Sequence, residues 1–94
     1  MHFVYIIYSK SINKYYVGET EDVSLRLTWH NTKHFQFSYT SNVSDWELYF
    51  VIECIDRCQA RKIEKHIKSM KSKTYIENLK KYNEISEKLL EKYK

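Results

Sequence analysis

The chain has 94 residues, a length for one domain, and 43% of them are hydrophobic; such a chain buries roughly two-thirds of its unfolded surface. Proline is absent and glycine occurs once, which excludes collagen-like and low-complexity disordered classes. No run reaches the ~18 apolar residues of a membrane span, and MHFVYIIY lacks the basic segment and cleavage site of a signal peptide, so the chain reads as soluble, cytoplasmic and without a membrane partner.

The net charge of +4 is unevenly spread: residues 1–56 carry −3 and residues 57–94 carry +7. A basic half suits an anionic partner, nucleic acid first among them, or else is a solvated lysine-rich surface. The two cysteines, Cys54 and Cys58, suggest no disulfide framework. With His66 they could begin a metal site, but four suitably spaced ligands are not evident.

In chain order, Phe3–Tyr8 and Lys14–Gly18 read as two short strands, joined by the polar turn Ser9–Asn13. Pairing Tyr8 with Tyr15 sets Ile7 opposite Tyr16 and Tyr5 opposite Gly18. Strand faces alternate, so Tyr5, Ile7, Tyr16 and Gly18 share one face, and Val4, Ile6, Tyr8, Tyr15 and Val17 the other. A lone glycine in a strand marks close approach of another group, or simply the end of a tyrosine-rich hairpin.

Thr20 or Asp22 caps a helix over about Asp22–Asn31. At 100° per residue, Arg26 and His30 fall between the apolar pairs Val23/Leu27 and Leu25/Trp29. A charge on an inward stripe is costly unless it is paired or has a task. Thr32–Asp45 has no period and reads as a long loop with three aromatics; long loops in small domains are often functional. Trp46–Ile55 is a third, apolar strand, expected to be central. A second helix runs from Asp56 or Arg57 to about Met70, with Ala60, Ile63, Ile67 and Met70 as its core stripe. Glu64 stands at the edge of that stripe, the one acidic residue among Arg57, Arg61, Lys62, Lys65, Lys68, Lys71 and Lys73. It suits a helix ion pair with Arg61 or Lys68, or a hard cation that also meets phosphate. From Ser72 or Thr74 one amphipathic helix is expected to run to the end, with residues 80–94 as its covering part; Tyr75, Leu79, Tyr82, Leu89 and Tyr93 form its stripe. The whole is a single α+β domain, residues 1–94: a three-stranded antiparallel sheet flanked by helices.

Taken together, these residues resemble the GIY-YIG nuclease family. Phe3-Val4-Tyr5 and Tyr16-Val17-Gly18 stand where the two half-motifs stand. Arg26 follows at the spacing of the family's catalytic arginine, His30 one turn later, and Glu64 in ARKIEKHIK at the metal-binding glutamate. Asn78 matches a later asparagine. The likeness runs from Phe3 to about Leu79 and is nearest to small stand-alone members, akin to the N-terminal domain of excision-repair subunits. It departs at Phe3, where the first half-motif has glycine, and at Glu19, where some members have lysine. The resemblance implies a metal-dependent DNA endonuclease or nickase using one Mg²⁺ or Mn²⁺ held by Glu64. Tyr5 is then the general base or water-orienting group, assisted by nearby positive charge or by the metal. Tyr16 and His30 orient water and phosphate, Arg26 binds phosphate, Asn78 helps to position it, and Gly18 is structural. The partner implied is DNA, branched or single-stranded forms included, with a protein partner for targeting and DNA repair as a setting. The rivals are a non-catalytic nucleic-acid-binding module on the same scaffold and a protein-interaction domain using the C-terminal helix.

Overall fold

The computed structural model describes residues 1–32 and 43–94. Most of the Thr32–Asp45 stretch, its three aromatics included, lies outside the described residues.

The elements in order are β1 (His2–Ser9), β2 (Lys14–Thr20), α1 (Val23–Asn31), β3 (Trp46–Cys54), α2 (Arg57–Met70), α3 (Lys73–Lys81) and α4 (Asn83–Lys92). The strands form one antiparallel sheet of order β2-β1-β3, an α+β arrangement. Among the described residues, no helix is long and apolar enough to cross a membrane.

The hairpin has the register read from its tyrosines: Tyr8 faces Tyr15, Ile7 faces Tyr16 and Tyr5 faces Gly18. Asn13 takes the turn's left-handed position, φ 51°, a conformation asparagine tolerates well, and its side chain accepts from the Tyr8 hydroxyl at 2.6 Å. Asp45 closes the turn from outside. It accepts from the Ser9 hydroxyl at 2.6 Å and the Ser11 N–H at 2.9 Å, and these bonds hold its carboxyl below the usual range.

Each sheet face builds its own cluster. One joins Val4, Ile6, Val17 and Ile52 to Ala60, Ile63 and Ile67 of α2, Leu79 of α3 and Leu89 of α4. The other gathers Tyr5, Ile7 and Trp46, with Tyr16, Val23 and Leu27 against them. The central strand is β1, not β3. Its run Val4–Ile7 is buried on both faces, whereas β3 exposes Glu47 and Glu53 and so takes an edge.

A bulge in β3 has no counterpart in the sequence reading. Ile6 pairs with Phe50 but Ile7 with Leu48, so Tyr49 is the extra residue. Tyr49 and Phe50 both join the aliphatic cluster. The step shifts the alternation beyond them by one, and Trp46 lands on the Tyr5 face.

Three other expectations are corrected. The last helix is two, broken at Tyr82 (φ −119°, ψ 103°). An unbroken helix would keep Tyr82 on the inward stripe. The bend leaves Tyr82 exposed and returns α4 along α2, where Gln59 Nε2 donates to the Leu90 carbonyl at 3.0 Å and His66 Nδ1 meets the Tyr93 hydroxyl at 2.9 Å. The stretch 80–94 is therefore the end of α3 followed by α4. Met70 is exposed, not core, because α2 ends there at Lys71, whose φ is 47°. β3 stops at Cys54; Ile55 is exposed, and its N–H donates to Gln59 Oε1 at 2.8 Å. The thiol of Cys54 is buried and that of Cys58 exposed, and both are free.

Candidate active site

The site grows from the β1–β2 pair. Tyr5 is 2% exposed, and its ring lies over the backbone of its cross-strand partner. A Cβ on Gly18 would sit 2.5 Å from the Tyr5 hydroxyl and 2.6 Å from Cζ, far inside contact distance. Only glycine lets the phenol lie there; its φ is not positive, so space rather than backbone conformation sets the requirement.

α1 brings the next two groups. Asp22 caps the helix, accepting from the Leu25 N–H at 3.0 Å. At the other end Asn31 spans to β3: its Oδ1 accepts from the Trp46 N–H at 2.7 Å and its Nδ2 donates to the Trp46 carbonyl at 2.9 Å. With both ends fixed, His30 is buried on the inward side, and its Nε2 lies 2.8 Å from the Tyr5 hydroxyl. The Tyr16 ring packs 4.9 Å from the imidazole and 6.4 Å from the Tyr5 ring, centroid to centroid. Arg26, one turn before His30, lies with its guanidinium carbon 5.2 Å from the Trp29 ring centroid. It lines a cleft with Glu19, Thr20, Trp29 and Arg57 at the end of the sheet.

Burial dominates the electrostatics. It pushes the Tyr5 phenol well above its ordinary range; Tyr16, Glu64 and Glu19 add to the rise, and Arg26 opposes it. The positive charge expected to assist Tyr5 is therefore present but outweighed, and at neutral pH Tyr5 is a phenol. Burial, with Arg26 second, lowers the His30 pKa from 6.5 to about 4, so His30 is neutral at the same pH.

Glu64 comes from α2. Its carboxylate is felt at Tyr5, and Lys68, one turn on, meets it at 2.6 Å. The Lys68 ammonium also stands 5.5 Å from the Tyr16 ring centroid, so this part of α2 reaches the site at the open β2 edge. The structure thus gathers Tyr5, Tyr16, Arg26, His30, Glu64 and Gly18. Asn78 is half-buried on α3, whose Tyr75, Ile76 and Leu79 join the opposite, aliphatic cluster; among the described residues, no hydrogen bond or ion pair ties it to the other six. Glu19 turns to the α2 side, where it pairs with His2 and, at 3.7 Å, with Arg57.

Two residues at the site escaped the sequence reading: Asn31, because an asparagine at a helix end carries no signal for a partner on a distant strand, and Trp46, which needed the bulge. Lys68 was expected as an i+4 partner of Glu64, a pair the structure holds; its place beside Tyr16 was not expected.

The donor set for a metal can be judged from its chemistry. No group of three or more His, Cys, Asp or Glu occurs among the described residues. Glu64 is one hard oxygen donor at the rim. That suits Mg²⁺ or Mn²⁺, ions that keep water and complete their shell with substrate phosphate, and does not suit a closed structural site.

The α+β domain thus carries a phenol, an imidazole and a guanidinium on one side of its sheet, with a carboxylate from α2 at the β2 edge. A family model, described as the GIY-YIG catalytic domain, matches residues 1–83. The chain belongs to the GIY-YIG family, a nuclease family whose members generally use a divalent metal. No curated protein and no solved structure matches it.

Proposed function

We propose that this chain is a metal-dependent DNA endonuclease or nickase that hydrolyses phosphodiester bonds with one divalent ion, Mg²⁺ or Mn²⁺. The observation that carries the reading is the 2.8 Å link between the Tyr5 hydroxyl and His30 Nε2, beside Arg26 and Glu64. Hydrolysis needs a proton taken from water and charge stabilised on phosphoryl oxygens. Tyr5 serves as a relay and not as a preformed phenolate. Its oxygen accepts from the attacking water while its own proton passes to His30 Nε2. His30 is uncharged at neutral pH, and its Nε2 faces the Tyr5 hydroxyl that passes on the proton, the ring hydrogen then residing on Nδ1. Tyr16 packs against the imidazole and fixes its plane. Arg26 offers two parallel donors to the phosphate. Glu64 is the residue that would hold the ion, which when bound supplies charge stabilisation on the leaving-group side.

The +7 of residues 57–94 supports DNA as substrate through phosphate contacts, so affinity falls steeply with salt. Branched and single-stranded forms are among the candidate substrates. Choice among them falls to segment 32–45, the basic helices or a partner protein. Two free thiols suit a reducing compartment such as the cytoplasm.

The test is cleavage of plasmid, branched and single-stranded DNA with Mg²⁺, Mn²⁺ or EDTA, by the wild type and Glu64→Gln. Gln keeps size and helix propensity and removes the hard anionic ligand. Loss of the Lys68 pair costs about 0.5 kcal/mol of stability or less. The expected outcome is cleavage lost at near-equal thermal stability, with DNA binding kept or raised. Equal cleavage by both proteins would mean that Glu64 serves only to pair with Lys68. The non-catalytic binding module would then be the better reading.

A further inference from the structure

The Glu64 carboxylate already has a cation on it. Lys68 Nζ lies 2.6 Å from Glu64 Oε2, and the same ammonium stands 5.5 Å from the Tyr16 ring centroid. The glutamate side chain is 19% exposed and the lysine 48%, so the pair spans the rim between the buried site and solvent. The groove beside it is lined by Arg61, Lys62, Glu64, Lys65 and Lys68, four cations around one acid. An ordinary surface i,i+4 pair contributes little to stability. This one differs in position: its positive member lies over a ring that packs against His30.

Two partners hold that ammonium, and they differ in what a divalent ion does to them. The carboxylate oxygen is the ligand such an ion would take. The π face of Tyr16 attracts a cation and is untouched by that change. A lysine that loses its carboxylate is repelled by a divalent charge at the same oxygen, yet stays tethered by its backbone and by Tyr16. Its stem is flexible and its head is a compact donor for phosphate oxygen.

We propose that Lys68 is a phosphate ligand of this site, held in reserve by Glu64. It neutralises the carboxylate while no divalent ion is bound there, and turns to a non-bridging phosphate oxygen when Glu64 takes one. The assignment rests on the nuclease reading above, and it makes Lys68 and the metal competitors for one oxygen.

The experiment follows Mn²⁺ binding without DNA, through loss of the free-ion EPR signal, in the wild type, Lys68→Gln and Lys68→Arg. Glu64→Gln defines the part of the binding that belongs to this carboxylate. Cleavage of one DNA substrate is then measured at saturating Mn²⁺. Removing the competing charge in Lys68→Gln is expected to tighten Mn²⁺ binding about fivefold or more, while the KM for DNA rises about tenfold through the lost phosphate contact. Lys68→Arg keeps the charge and stays near the wild type in Mn²⁺ affinity. Unchanged Mn²⁺ affinity in Lys68→Gln, or an unchanged KM at saturating metal, overturns the assignment of Lys68 alone. A wild type that neither binds Mn²⁺ at Glu64 nor cleaves overturns the nuclease reading, and this one with it.

Discussion

Val4 and Ile6 face one side of β1, Tyr5 and Ile7 the other, and the two sides meet different neighbours. The Val4 side is closed by three helices and holds mostly aliphatic carbon. The Tyr5 side is covered in part by α1 and holds a phenol, an imidazole and a half-buried guanidinium. On the first side burial stabilises the fold. On the second it shifts ionisation, lifting Tyr5 and lowering His30. A single strand, paired on both edges, thus separates the part that keeps the chain folded from the part suited to chemistry.

The separation can be broken first on the aliphatic side. Ile63 is fully buried, and Ile63→Ala should cost about 3 kcal/mol through lost transfer energy and a cavity. Urea unfolding measures that loss. Cleavage per folded molecule should stay near the wild type, and a large drop would mean that the two faces are coupled.

On the other side, Tyr5→Phe keeps the ring over Gly18 and deletes the oxygen that meets His30. Cleavage should fall about 100-fold, the usual contribution of positioned proton transfer. Stability should change by only about 1 kcal/mol, one buried hydrogen bond. Equal rates in single-turnover cleavage would remove Tyr5 from the proton path.

The smallest effect sharpens the comparison through pH. His30 takes a proton near pH 4 when folded but near 6.5 when unfolded. The unfolded chain therefore binds more protons between those values. The stability from a neutral, buried His30 is complete above pH 6.5 and is lost as pH falls, by roughly 2 kcal/mol at pH 4.5 and about 3 kcal/mol near pH 4. Urea unfolding at pH 7 and pH 4.5, with His30→Gln beside the wild type, isolates this part. Parallel pH dependence in both proteins would mean that His30 is not the group responsible.

The hairpin was legible because setting Tyr8 opposite Tyr15 across a short polar turn, the register the structure has, lets a period of two assign every face. Arg26 and His30 were legible for a related reason, since a polar pair on an inward helical stripe is an anomaly that a period of 3.6 exposes. Strand order was not. β1 and β3 are both apolar runs, and burial on two faces separates them only once the helices are in place. The bulge at Tyr49 was hidden because an extra residue leaves composition unchanged and alters only who pairs with whom. The break at Tyr82 was hidden because the heptad-like stripe continues through it. The pairing of Lys68 with Glu64 was legible from their i,i+4 spacing; its distance to Tyr16 is a tertiary fact.

The Asn31 side chain has a consequence for how this domain can diverge. Its two bonds to the Trp46 backbone join the residue that ends α1 to the one that begins β3, on either side of segment 32–45. The ends of that segment are therefore set by the scaffold rather than by the segment itself. Lengthening such a connection costs little, because closure entropy grows only with the logarithm of its length. Insertions and substitutions between these anchors can accumulate without moving His30 relative to Tyr5. On the function proposed above, in which segment 32–45 takes part in choosing the substrate, that choice can drift within a lineage while the Tyr5–His30 pair stays in place.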